Sequence, residues 1–142
     1  MPQIELADAL PHPIAYVLAG GASFGATQVG HLRALAETDL RPDFVVGTSV
    51  GSLNGAVVAE DPEAAPARLT ELWDTVTKQE IFGTALNHAV NIATGRPSAS
   101  HNDGLRAFIE RAIKARTFEE LALPHTAMAT DFDTGRAVAL DQ

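Results

Sequence analysis

The sequence has no cysteine, which excludes disulfide staples, thiolate metal sites and a cysteine nucleophile. Positive charge is scarce: 10 Lys and Arg stand against 18 Asp and Glu, for a formal net charge of −8. A nucleic-acid partner needs its phosphates neutralised, so none is expected. Strong electrostatic attraction to anionic lipid is disfavoured on the same ground, whereas shallow, transient apolar contact with a membrane surface is not. No run of about 18 apolar residues occurs, so no segment reads as a membrane span. Residues 1–10 carry Glu5 and Asp8 and lack the basic and apolar regions of a secretory signal. The expected location is the cytoplasm, with peripheral contact at membranes.

What is present is a foldable chain. Hydrophobic residues make up 46% of the 142, enough for one modest domain with one core. The segment up to Pro13, with Pro2, Pro11 and Pro13, reads as a loose lead-in. Ile14-Ala15-Tyr16-Val17-Leu18-Ala19 is a continuous apolar run and predicts a central strand buried on both faces. A glycine-rich turn follows, then Val29, Leu32 and Ala36 at helical spacing. Gly30 interrupts that helix at a cost of about 1 kcal/mol, which points to a close helix–sheet contact there. Asp39 to Pro42 form the return loop, and Phe44-Val45-Val46 a second strand. Strand, helix, strand, helix in this order is a βαβ unit and implies a parallel sheet with right-handed crossovers.

The next helix, through Leu53, Ala56, Val57 and Val58, is rich in small residues and is expected to be central. Leu69, Leu72, Trp73 and Val76 predict an amphipathic helix. Residues 81–100 read as a broken helix and surface loop. The apolar positions Phe82, Leu86, Val90 and Ile92 suit either core packing or a lipid-facing lid. Leu105, Phe108, Ile109, Ala112 and Ile113 mark another helix, capped by Asn102 or Asp103. Thr117-Phe118-Glu119-Glu120 fits a capping box on a short turn. His125 to Thr130 and Arg136 to Leu140 read as strands of a hairpin turned at Asp133-Thr134-Gly135.

The chemistry is carried by two glycine turns. Gly47-Thr48-Ser49-Val50-Gly51 follows an apolar strand and opens a helix, the context in which G-x-S-x-G exposes a nucleophilic serine on a tight turn. Ser49 is the candidate nucleophile. Gly47 and Gly51 stand where strand end and helix start approach too closely for side chains. Gly20-Gly21-Ala22-Ser23-Phe24-Gly25 closes the first strand and opens the first helix, so its backbone N–H groups are placed to face a developing oxyanion. Both turns lie at carboxyl ends of neighbouring strands, where such sheets bind ligands. The nucleotide-binding pattern G-x-G-x-x-G is absent. Gly20 and Gly25 have the spacing of G-x-x-x-x-G-K-[ST], but Ala26 and Thr27 follow, so the phosphate-binding lysine is missing.

Taken together, these two turns and the run Ala127-Met128-Ala129-Thr130-Asp131-Phe132-Asp133-Thr134-Gly135 resemble the patatin-like phospholipase family over residues 14–140. The resemblance implies an α/β fold, a three-layer sandwich on a mostly parallel central sheet. It implies hydrolysis of lipid or other acyl esters through an acyl-enzyme, by a Ser–Asp dyad, with no metal or organic cofactor. Ser49 matches the nucleophile, and Gly20, Gly21 and Ala22 match the oxyanion turn. Family members often carry a third glycine where Ala22 stands and a basic residue where Phe24 stands. Their catalytic aspartate lies in an Asp-Gly-Gly or Asp-Gly-Ala motif beyond the segment ending near Leu140. This sequence ends at Gln142, and its one Asp-Gly is Asp103-Gly104. The expectation is a single patatin-like domain over 1–142, incomplete at its C-terminus. The alternative is a catalytically incomplete version that binds acyl lipids without turnover. Asp131 and Asp133 read as turn residues and Asp103 as a cap. A Ser49, Asp103, His125 triad of the α/β-hydrolase order is a further option; otherwise His31 reads as solvated and His12, His88, His101 and His125 as loop residues.

Overall fold

The computed structural model describes residues 10–38, 40–75 and 103–142. The expectations for Val76, for residues 81–100, for a cap at Asn102, and for His88 and His101 lie outside the described residues, as do Asp39 and the first nine positions.

Four strands form one sheet in the order β1 (Ala15–Leu18), β2 (Phe44–Thr48), β3 (His125–Thr130) and β4 (Ala137–Leu140). The first three are parallel, with Tyr16 beside Val45 and Val45 beside His125; β4 returns antiparallel to β3. This is the mostly parallel α/β sheet expected from the alternation of elements. Asp131 organises the hairpin as a turn residue: its carboxylate accepts from the Thr134 N–H and hydroxyl, both at 2.7 Å, and Gly135 takes a positive φ of 67°. The Thr134 hydroxyl and N–H hold the Asp131 carboxyl below its ordinary pKa.

Helix α1 (Gly25–Glu37) crosses from β1 to β2. Helices α2 (Val50–Glu60), α3 (Ala65–Thr75) and α4 (Asp103–Ala112) lie between β2 and β3. Because β1, β2 and β3 succeed one another in the same direction, right-handed crossovers put all these helices on one face. Helix α2 packs on β2 and its neighbours, and α1 and α3 pack against α2 and each other. Val50, Gly51 and residues 54–59 of α2 are all buried. The core gathers Tyr16 and Val45 from the sheet with Leu32, Val57 and Leu69 from the helices.

That arrangement corrects the reading of β1. Tyr16 is buried, and its hydroxyl donates to the Leu40 carbonyl at 2.8 Å, but Val17 is 73% exposed. The strand is the outer one of the described sheet, and the described helices cover only the face that holds Tyr16. Of the three layers expected, the described residues supply the sheet and its cover on that face.

Gly30 is a second correction. It is exposed, and a Cβ built on it meets no atom of the described residues within 4 Å, so no close contact among them explains it. Gly30→Ala is therefore expected to stabilise the protein by about 0.5–1 kcal/mol through helix propensity and a less flexible unfolded chain. Urea denaturation checks this; a loss of stability would show that the position is constrained after all.

Glu60 ends α2 as a junction. Its carboxylate is ion-paired with Arg68 of α3 and accepts from the N–H groups of Lys114 at 2.7 Å and Ala115 at 2.6 Å. Arg68 also donates to the Ala112 carbonyl, tying α3 to the end of α4. Burial pushes the Glu60 carboxyl pKa up, but the Ala115, Arg68 and Lys114 donors outweigh it and the net shift is downward. The expected short turn is present at Phe118–Glu120, but Thr117 makes no side-chain cap hydrogen bond. Glu120 instead accepts from the Arg116 N–H at 2.7 Å, one residue before the position a capping box requires.

Candidate active site

Ser49 sits between the end of β2 and the first turn of α2, exposed to solvent. Its φ of 54° and ψ of −124° lie where glycine is favoured, and a serine held there carries strain of order 1–3 kcal/mol. The chain enters the helix at once: the Ser49 carbonyl accepts from the N–H groups of Ser52 at 2.9 Å and Leu53 at 3.3 Å. A turn this sharp brings backbone onto backbone. A Cβ on Gly47 would collide with the Gly51 carbonyl and lie 2.6 Å from the Ser52 Cα. A Cβ on Gly51 would collide with the Leu18 carbonyl oxygen and lie 2.6 Å from its carbon.

The turn after β1 is built on the same end of the sheet. Gly20, Gly21 and Ala22 are exposed, and the Phe24 N–H donates to the Gly21 carbonyl at 2.9 Å, closing a 3-10 turn over Ala22–Phe24 before α1 begins. A Cβ on Gly20 would lie 3.4 Å from the Ser49 Cβ and 3.4 Å from the Thr48 carbonyl oxygen, so Gly20 abuts Ser49. Ala22 has a φ of 49°. Ala22 and Ser49 are the two non-glycine residues with positive φ among the described residues, one in each turn. The described residues thus bring Ser49, Gly47, Gly51 and the turn of Gly20, Gly21 and Ala22 to one place. Phe24 is 72% exposed beside them. Among the described residues the Ser49 hydroxyl has no hydrogen-bond partner.

His125 lies elsewhere. It is a buried strand residue, not a loop residue, paired in register with Val45 and with Nδ1 3.3 Å from the Val45 carbonyl oxygen. Its ring also lies against α2, where a Cβ on Gly55 would approach Cε1 to 2.9 Å. Nδ1 is turned to the Val45 carbonyl, and no hydrogen bond joins His125 to the Ser49 hydroxyl among the described residues, so the placement of His125 gives the Ser49, Asp103, His125 option no support. Burial lowers the His125 imidazole pKa, against the upward pull of hydrogen bonds to the Val45 and Ser52 backbone. A folded-state pKa below the unfolded value means stability is fully present above the unfolded value, about 6.5, and is lost as pH falls through the lower folded value. Stability measured by urea titration between pH 7.5 and 5 is expected to decline, and His125→Leu to flatten that decline; an equal slope in both proteins would contradict the assignment.

The polar chain behind the glycine turn carries no motif in the sequence. Asn54, on the buried side of α2 and 1% exposed, donates to the Gly25 carbonyl at 3.1 Å and to Gln28 Oε1 at 2.8 Å, and accepts from Trp73 Nε1 at 3.0 Å. Gln28 Nε2 donates to the Ala19 carbonyl at 2.7 Å. The available signal was a lone asparagine in the apolar run Leu53-Asn54-Gly55-Ala56-Val57. One turn along α2 from Ser49, a cavity of about 250 Å³ is lined by Ser52, Leu53, Ala56, Phe118, Leu121 and His125. Larger grooves along α3 have charged walls, with Arg68 and Glu71 in one and Glu37 and Asp74 in another, and contain none of the candidate residues. No described helix is long and apolar enough to cross a membrane.

Comparison with known proteins gives a match to the patatin-like phospholipase family model over residues 16–140. A patatin-like phospholipase domain-containing protein of Caenorhabditis elegans is 52% identical over 130 residues, covering 85% of this chain and 9% of the relative. Patatin-like phospholipase domain-containing protein 7 of Rattus norvegicus is 35% identical over 118 residues, covering 83% of this chain and 8% of the relative. A lysophospholipase of Aspergillus terreus is 42% identical over 53 residues, covering 37% of this chain and 4% of the relative. The chain spans less than a tenth of the length of these curated relatives.

Proposed function

Because the chain belongs to the patatin-like phospholipase family, a family of lipid hydrolases, we propose that it cleaves lipid acyl esters through an acyl-enzyme on Ser49. The Ser49 hydroxyl oxygen attacks the ester carbonyl carbon while a carboxylate takes its proton. The tetrahedral oxyanion is held by backbone N–H groups of Gly20, Gly21 and Ala22. Collapse breaks the ester C–O bond, and the proton returns to the leaving alcohol. Water then attacks the acyl-serine by the same route in reverse order and releases the fatty acid.

The observation that carries this reading is the pairing of a strained, exposed Ser49 with a Gly20 so near that an added Cβ would touch the Ser49 Cβ. Strain in a non-glycine residue persists only where the surroundings impose it, and it gathers at functional sites. The apolar cavity one turn along α2 suits an acyl chain. A fluorophosphonate probe is expected to label the protein at Ser49, and Ser49→Ala to remove the label. Labelling that survives the substitution would overturn the assignment.

A second reading is favoured by one specific observation. Serine is a weak nucleophile without a base within hydrogen-bond reach, and no described residue hydrogen-bonds the Ser49 hydroxyl. On that reading the chain binds acyl lipids without turning them over. Sustained release of fatty acid from a phospholipid or lysophospholipid substrate eliminates it; saturable binding of intact lipid with no ester cleavage supports it.

A further inference from the structure

We infer that Trp73, Asn54 and Gln28 form a positioning relay that fixes the oxyanion turn against the serine turn; the inference rests on the function proposed for those turns. The hydrogen bonds run in one direction. Trp73 Nε1–H can only donate, and it donates to Asn54 Oδ1 at 3.0 Å. Asn54 Nδ2 must then present its two N–H groups to the Gly25 carbonyl, at 3.1 Å, and to Gln28 Oε1, at 2.8 Å. Gln28 in turn presents Nε2 to the Ala19 carbonyl at 2.7 Å. A carbonyl can only accept, so the orientation of both side-chain amides is fixed at both ends of the chain.

The consequence falls on one peptide plane. The Ala19–Gly20 peptide is planar and trans, so its N–H points opposite to its C=O. Gln28 holds the Ala19 carbonyl oxygen, and the Gly20 N–H is thereby held on the opposite side. That N–H belongs to the residue that abuts Ser49. The anchor of the relay is rigid, because Asn54 is 1% exposed and sits on the first turns of the helix that Ser49 begins. The same side-chain amide grips the Gly25 carbonyl at the start of α1. The two turns are therefore locked together through α2 rather than merely adjacent. Misplacement of an oxyanion donor by about 1 Å is enough to cost ~100-fold in rate, so a fixed peptide plane has a catalytic consequence although no relay residue touches substrate.

Gln28→Met is the primary test, since Gln28 is only half-buried and methionine keeps the volume while removing both amide bonds. Asn54→Leu is the harsher companion. The protection of the Phe24 N–H, which is bonded to the Gly21 carbonyl, reports the turn directly by hydrogen exchange and needs no catalysis. Gln28→Met is expected to raise exchange at Phe24 about 10-fold or more while leaving exchange in the α2 segment Val57 to Ala59 unchanged. With an acyl-ester substrate, kcat is expected to fall about 10- to 100-fold with KM within about 2-fold of wild type. Unchanged Phe24 exchange in Gln28→Met overturns the relay, whatever the activity. So does faster exchange with an unchanged kcat in a protein that turns over. A wild-type protein that no serine probe labels strikes the proposed function instead, and the Phe24 exchange then still decides whether the relay holds the turn.

Discussion

Replacing Gly51 by alanine is expected to destabilise the protein by about 3 kcal/mol or more. The added methyl would collide with the Leu18 carbonyl oxygen and lie 2.6 Å from the Leu18 carbonyl carbon and 2.7 Å from the Ala19 oxygen. All three atoms are backbone at the end of β1, so no side chain can rotate away. Relief requires α2 to move off the sheet, and α2 is the element whose residues 54–59 are buried throughout. A domain of this size has about 5–15 kcal/mol in total, so the change removes a large share of it. Gly47→Ala belongs to the same class, since its methyl would meet the Gly51 carbonyl and the Ser52 Cα. Equilibrium urea denaturation of Gly51→Ala measures the effect. A loss under about 1 kcal/mol would mean that the turn is looser than its geometry.

The second large effect is on rate and runs opposite to stability. Ser49→Ala removes the nucleophile and is expected to lower acyl-ester turnover by about a million-fold or to background. Ser49→Gly should be equally inactive yet more stable than Ser49→Ala. The φ of 54° and ψ of −124° are open to glycine and costly for any residue with a Cβ. Relief of strain of order 1–3 kcal/mol is partly offset by about 0.5–1 kcal/mol of extra glycine entropy in the unfolded chain. Comparing the urea midpoints of the two inactive variants measures the stored strain. Equal midpoints would remove the argument that the surroundings force Ser49 into this conformation.

What the sequence revealed and what it hid divide along a physical line. The serine turn was legible because its demands are local: Gly47 and Gly51 are the residues that a strand-to-helix corner leaves no room to replace. The hairpin at Asp131 to Arg136 was legible for the same reason, through turn chemistry. The burial of β1 was not, because Val17 is exposed on account of strand order and of the face to which the crossovers send the helices. Gly30 misled because a glycine in a helix looks the same whether a neighbour fills its space or nothing does. His125 was legible as the first residue of a strand over His125 to Thr130, but its burial was not, because that depends on register against Val45 and on the helix packed over it. The Trp73, Asn54 and Gln28 chain was hidden for a stronger reason. Its members lie 19 and 26 positions apart in sequence and meet only once α1, α2 and α3 have packed. Ala22 is intermediate: its φ of 49° is one that glycine adopts more readily, but the backbone N–H is retained.

The most direct measurement is the covalent intermediate itself. The protein is mixed briefly with an activated acyl ester, quenched in acid and digested, and the peptide containing Ser49 is weighed. The account predicts a mass increase equal to the acyl group on Ser49, formed faster than the free acid accumulates and absent from Ser49→Ala. Release of the acid with no acyl mass on Ser49, or an acyl mass on any other residue, would contradict it.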